Sequence, residues 1–421
     1  LLINFQNINL MITKNNITIE FFFYLIIIFY LLYSGEIYNF FVPENIQMKL
    51  GLFRDWKIVV NDIYCEAGIR KIDCGPFPYG PALLYLPFLN WLEGFYYQIF
   101  PNLLIVLFIL SIFIIFNKFH EKNKLLIFCI ILSPTSLLVI ERGNLDLLLF
   151  IFAILICYNR FLYINIFLIS FSFLIKYYPV AYFLNIFTHK KNNSLLSIRI
   201  IFLTTFILSV LILYFHKEIF LAALDSSSAS KAGYHMLFSI KSTAKVLKYI
   251  FSINYILLLA ITYLSFFIII YLFIKYLYKN KINEKLSLDK IEDKLFLIGT
   301  NTALFTYLIF SNYYYREIFL ILSLPIIIKL KNILKNDNIK YFIYFIIFRY
   351  LFLHVYNYFI LNENFTNVNG IRVFYNSFLI VFTIKSILDF IFMIVLSGIL
   401  FIYNFEIFKI LFNKKIDFAL K

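Results

Sequence analysis

The segment SLLVIERGNLDLLLFIFAIL places Glu141, Arg142, Gly143 and Asn144 between two apolar runs. An arginine at a membrane edge is costly unless it is solvated or paired. One reading of Arg142 is a phosphate ligand, because its planar fork matches phosphate oxygens, with Glu141 or Asn144 orienting it. Glu141 is expected to point elsewhere, since neighbouring helical side chains do not face each other. The other reading is a capped hairpin between two helices, with Asn144 and Asp146 at the start of the second. In LIKYYPV, Lys176 ends an apolar run and Pro179 stops the helix. Lys176 is either a second phosphate partner or a lysine snorkelling to the interface. SNYYYREIFLILSLP sets Arg316 and Glu317 behind three tyrosines. Tyr314 and Tyr315 are either interface anchors or rings that stack on a sugar. In FRDWK, Asp55 is either a solvated loop residue or a general base for an acceptor hydroxyl.

These residues are positioned by a greasy chain. Of 421 residues, 62% are hydrophobic and only 14% charged. A soluble domain of that size has no interior large enough for so much apolar surface. Apolar runs recur near 18–41, 95–116, 125–140, 145–158, 161–175, 178–188, 196–215, 252–275, 295–311, 317–330, 341–360 and 373–412. Crossing a bilayer takes ~20 residues, so several runs are short. The short ones lie beside ERGN, KYYP and NYYYRE. Helices that stop part-way are expected where a polar cavity opens into the membrane. The fold class is therefore all-α: one polytopic membrane domain, 1–421, of about 11–13 membrane helices including short ones.

The net charge of +15 follows topology. Lys118, Lys122 and Lys124 share one loop; Lys190, Lys191 and Arg199 mark another. Further clusters lie in the 276–294 loop, at Lys329–Lys340 and at the tail. Counting spans puts all of them on one side, which the positive-inside rule makes cytoplasmic. No basic stripe with interleaved aromatics marks a nucleic-acid surface, so no nucleic-acid partner is expected. The other side collects the 42–94 loop, ERGN, KYYP, the 216–250 segment and NYYYRE. The 216–250 segment carries His235 and a lysine-bearing amphipathic stretch, either a surface helix or a lid for a lipid headgroup. Cys65 and Cys74 share the 42–94 loop, where a disulfide is open to them in an oxidising compartment. The chain has no Walker motif, GxGxxG or D-x-D pair. No metal ligand set and no cofactor are expected.

FRDWKIV, PYGPALLYLP, ERGNLDLLLF, LIKYYPV and YYYREIFLI, in that order, resemble glycosyltransferase family 87 of the C-type glycosyltransferase superfamily. The likeness covers roughly 20–330; the remaining spans match in hydropathy alone. Tyr79-Gly80-Pro81 departs from the family's longer Tyr-Pro signature. The resemblance implies a C-type fold of many membrane helices with its active site at the outer leaflet. It implies a polyprenyl-phosphate sugar as donor and a lipid, glycan or protein acceptor among membrane lipids. The base falls by position on Asp55, with Asp62 in reserve. Arg142, Lys176 and Arg316 hold the donor phosphate. Glu141, Asn144, Tyr314, Tyr315 and His235 are the groups set to contact sugar or acceptor. The family leans towards a bacterial inner membrane, its active site facing outward. A transporter or flippase of lipid-linked sugars is the alternative.

Overall fold

The computed structural model describes residues 16–37, 52–53, 55–57, 59–60, 82–83, 98–118, 124–189, 195–217, 237–280, 290–309, 312–334, 337–361, 365–368, 371–374 and 376–412. The helices run α1 (Asn16–Tyr33), α2 (Phe100–Lys118), α3 (Lys124–Ile131), α4 (Pro134–Arg142), α5 (Asp146–Tyr158) and α6 (Leu162–Ile175). A first 3-10 segment (Tyr178–His189) leads to α7 (Leu195–Phe215). Strand β1 (Leu237–Phe238), α8 (Ile240–Phe251), α9 (Tyr255–Lys279), α10 (Ile291–Ile309) and β2 (Asn312–Tyr313) follow. A second 3-10 segment (Tyr314–Ser323) precedes α11 (Leu324–Leu334) and α12 (Asp337–Leu361), then the β3 (Phe365–Val368) and β4 (Ile371–Phe374) hairpin, and finally α13 (Asn376–Phe412).

Five of the described helices are long and apolar enough to cross a membrane, spanning Leu125–Arg142, Ser197–Phe215, Tyr255–Lys279, Tyr341–Phe359 and Phe378–Phe408. The chain is an integral membrane protein. Leu125–Arg142 is 78% buried, whereas Ser197–Phe215 is 11% buried and exposes Leu203, Ile207, Leu208 and Leu211. With helices on most sides, the interior is a single large apolar cluster drawn from nearly every element. Among the described residues, two short two-stranded ladders are the departure from helix.

Local sequence explains the breaks. Pro134 opens α4 at its first turn, where a missing N–H costs nothing, and Ser133 caps it by accepting from the Ser136 amide at 3.2 Å. The hydroxyl of Ser136 donates to Ile130 O at 2.7 Å, so the α3–α4 bend leaves that carbonyl bonded. Gly143 closes α4 in the left-handed region at φ +57°. Its N–H reaches Ile140 O at 3.0 Å and the Asn144 N–H reaches Val139 O at 3.2 Å, a Schellman ending.

The runs at 178–188 and 317–330 are expected as membrane helices. The first is instead entirely within a 3-10 segment, and the second begins as 3-10 before continuing as α11. Lys176 is extended, as a residue approaching Pro179 must leave the helix, and the chain resumes with tighter winding. Both 3-10 segments pack on α10. At Gly299 of α10 an added Cβ would lie 2.5 Å from Leu322 Cβ and 2.6 Å from Phe319 O. The missing side chain is what lets the second 3-10 segment approach so closely. The β1–β2 ladder pairs Leu237 with Tyr313 and Phe238 with Asn312, tying the start of α8 to the same segment.

Gly299→Leu is expected to wedge α10 from the second 3-10 segment, costing about 1–3 kcal/mol of overpacking strain. A lowered midpoint of thermal unfolding in detergent, relative to wild type, checks this.

Candidate functional site

The cluster forms where several helices end part-way. Helix α5 has 13 residues and α6 has 14. Such helices extend about 20 Å at 1.5 Å per residue, short of a ~30 Å hydrocarbon core. The charged groups at their ends are buried, Asp146 at 0% and Lys176 at 7% exposure.

Asp146, the first residue of α5, is the centre and is fully buried. The ammonium of Lys176 donates to its Oδ1 and the Tyr178 hydroxyl donates to the same oxygen at 2.5 Å. Arg316 Nε stands 3.6 Å from Oδ2, with its guanidinium 4.9 Å above the Tyr178 ring. A carboxylate without water is tolerable only with such partners, and the α5 N-terminus adds its own favourable field.

Asn144 bridges this core to the rim. Its Oδ1 accepts from Lys176 Nζ at 2.9 Å and from the Asp146 amide at 3.0 Å. Its Nδ2 donates to Asp55 Oδ2 at 2.8 Å. The amide is thus fixed from both sides. Asp55 also faces Arg142 Nη1 at 3.5 Å, and the two side chains are 21% and 23% exposed. They are the accessible edge of the cluster.

Contrary to expectation, Glu141 and Arg142 do meet: Arg142 Nε lies 3.1 Å from Glu141 Oε2. Helical side chains lean towards the N-terminus, and Arg142 ends its helix, so its long stem folds back over its neighbour. Gly143 has a second role besides its φ. A Cβ there would stand 3.1 Å from Phe53 Cβ and 3.2 Å from Trp56 Cβ. With the Phe53 N–H on Glu141 O at 3.0 Å, this close approach brings Asp55 to Asn144.

The structure therefore gathers Asp55, Glu141, Arg142, Asn144, Lys176 and Arg316 into one network. The side chains of Tyr314 and Tyr315, and all of Asp62, His235, Cys65 and Cys74, lie outside the described residues. Both hairpin capping and charge clustering apply to ERGN, since Asn144 bonds the Asp146 amide and Asp55 together. Lys176 is not snorkelling; it is 7% exposed and turned inward. Helix α8, which packs on α9 and α13, is amphipathic and carries Lys241, Lys245 and Lys248. Lys245 lies 5.6 Å from the rings of Tyr249 and Tyr255; burial, then nearby Lys248, lowers its pKa below the usual lysine value. Among the described residues no three His, Cys, Asp or Glu side chains are grouped to hold a metal ion.

Sequence reasoning missed the central part of Asp146, taken only as a helix-start residue, and the Tyr178 hydroxyl on it. It also missed a buried quartet, Glu317, Arg349, Lys385 and Asp389, joined by direct ion pairs. The signal was present: ionisable residues inside apolar runs mark functional or paired positions. A third set, Lys329 with Glu292, Asp293 and the Tyr403 hydroxyl, sits at the start of α10. It lies about 24 Å along that helix from the end nearest the site.

Comparison with protein-family models, with curated proteins and with solved structures found no match to this chain.

Removing the Asp146 charge takes the carboxylate away from buried Lys176 and part-buried Arg316. Asp146→Asn is expected to cost about 3–5 kcal/mol, and Asp55→Asn, at the exposed edge, under about 1 kcal/mol. Thermal unfolding of both purified variants checks the difference.

Proposed function

We propose that the protein is a membrane glycosyltransferase that takes a sugar from a polyprenyl-phosphate donor. The observation that carries this reading is the partly exposed Asp55 carboxylate, held by Asn144 and Arg142 at the rim of a buried cluster that contains Lys176 and Arg316. The order of the FRDWK, ERGN, KYYP and YYYRE motifs, which resembles glycosyltransferase family 87, supports it.

The chemistry suits these groups. Asp55 accepts the proton of an acceptor hydroxyl as that oxygen attacks the anomeric carbon. The bond from that carbon to the phosphate oxygen breaks, and polyprenyl phosphate departs with the electron pair. Attack opposite the leaving group inverts the sugar. Charge builds on the phosphate as the bond breaks, and Arg142, Lys176 and Arg316 are the cations placed to offset it. A guanidinium has five N–H donors, more than one carboxylate accepts, so pairing with Asp146 is compatible with Arg316 also meeting phosphate.

In this reading Asn144 has a specific task. Its amide keeps Asp55 in place without adding charge, whereas an aspartate there would set two carboxylates against each other and make Asp55 a different base. The proposed setting is a bacterial inner membrane with the Asp55 rim facing outward, in line with the lysine-rich loops on the other side.

One observation favours a second reading. The quartet built on Arg349 lies across the candidate spans Tyr341–Phe359 and Phe378–Phe408, and charges inside membrane helices often line a transport path. In that case the protein moves lipid-linked sugars without joining them to anything.

Purified wild type, offered radiolabelled polyprenyl-phosphate mannose, glucose, galactose and arabinose with a membrane-lipid and glycan acceptor mixture, is expected to yield a labelled product. Asp55→Asn is expected to lower the rate by about 100-fold or more, the usual contribution of a positioned base. Label crossing proteoliposomes with no new glycosidic bond would establish transport instead.

A further inference from the structure

We propose that Arg349 is a positioning residue: by gripping Glu317 it sets the second 3-10 segment so that Arg316 faces Asp146. The consequence for donor binding rests on the reading under Proposed function; the positioning itself does not.

Arg316 and Glu317 are consecutive, yet they belong to different networks. In a 3-10 helix each residue turns about 120° from the last, so the two side chains diverge. Arg316 goes to Asp146 Oδ2 at 3.6 Å and lies over the Tyr178 ring. Glu317 goes the other way, where its Oε2 accepts from Arg349 Nη2. Arg349 lies in α12 and also donates to Asp389 Oδ1 of α13, from Nε at 3.0 Å and from Nη2 at 2.5 Å. Lys385 completes the set at 2.8 Å from Asp389 Oδ2. The side chains are 0–4% exposed. Two carboxylates and two cations make the quartet neutral, which is how it persists among apolar side chains.

The two contacts differ in tightness. Arg316 meets Asp146 at 3.6 Å with its side chain 16% exposed, a contact that a small shift of the segment would loosen. Glu317 is fully buried against Arg349. The tight side therefore fixes the loose side. Through Arg349 and Asp389, the positions of α12 and α13 are transmitted to Arg316. The β1–β2 ladder and the Gly299 contact hold the same segment at its two ends, so the test must ask whether they suffice alone.

The experiment uses the full chain in detergent micelles and phenylglyoxal, an arginine-directed reagent, with labelling at Arg316 and Arg142 followed by peptide mass spectrometry. Arg349→Met is expected to speed labelling of Arg316 by about fivefold or more, the lower end of coupling between linked sites. Arg142, which faces Asp55 and Glu141, keeps its rate. Arg349→Lys is expected to restore part of the protection. If Arg349→Met fails to accumulate, Glu317→Gln, which keeps shape and an acceptor, carries the same expectation. Arg316 labelled at the wild-type rate in the variants that fold would overturn the proposal and leave the ladder and the glycine contact as the determinants.

A second arm measures sugar transfer in the same variants. The apparent KM for the polyprenyl-phosphate donor is expected to rise about fivefold or more with kcat less affected, whereas a loss of folded protein would lower kcat and leave KM alone. A wild type that transfers no sugar would overturn the proposed function, while the labelling result would still decide the role of Arg349.

Discussion

A buried carboxylate has to be paired, and Asp146 shows how far that demand reaches. It sits at the start of α5 with no exposure, and it draws partners from two other parts of the chain: Lys176 and Tyr178 after α6, and Arg316 in the second 3-10 segment. In a low-dielectric interior, a wrongly placed partner costs several kcal/mol. The relative position of these three segments is therefore tightly specified. The remaining polar groups are arranged around that point, with Asn144 carrying its influence outward to Asp55.

The same demand explains the helix lengths. A full-length α5 or α6 would carry these groups to the membrane surface, where water would satisfy them. The short α6 leads into a 3-10 segment, and the junction brings Lys176 and Tyr178 onto the buried Asp146. The packing has to be unusually close for this to work. Gly299 supplies it between α10 and the second 3-10 segment, and Gly143 between the end of α4 and the residues around Asp55.

Charge is balanced by neighbourhood. Around Asp146, the carboxylates of Asp55, Glu141 and Asp146 meet the cations of Arg142, Lys176 and Arg316. Around Arg349, two carboxylates meet two cations. The first set has an exposed edge, and the second is enclosed among the helices. Arg316 and Glu317 join the two sets through a single peptide bond.

Much of this was legible in the residues alone. Apolar runs told of the membrane, because lipid exposure leaves a compositional mark that no packing detail can hide. The breaks at ERGN, KYYP and YYYRE were legible because glycine, proline and charge interrupt a helix locally. The convergence of Asp55, Arg142, Lys176 and Arg316 followed from counting spans, since loops on one side share one end of a bundle. The pairings themselves were not legible. That Asp146 lies at the centre and that Arg349 reaches Glu317 and Asp389 depend on contacts between elements far apart in sequence, and the turn of Glu141 to Arg142 depends on how the last turn of α4 is packed. Hydropathy and local spacing fix which segments enter the membrane and where they stop. Only the tertiary structure decides which buried charge meets which, because that is set by the packing of helices whose mutual rotation no local pattern encodes.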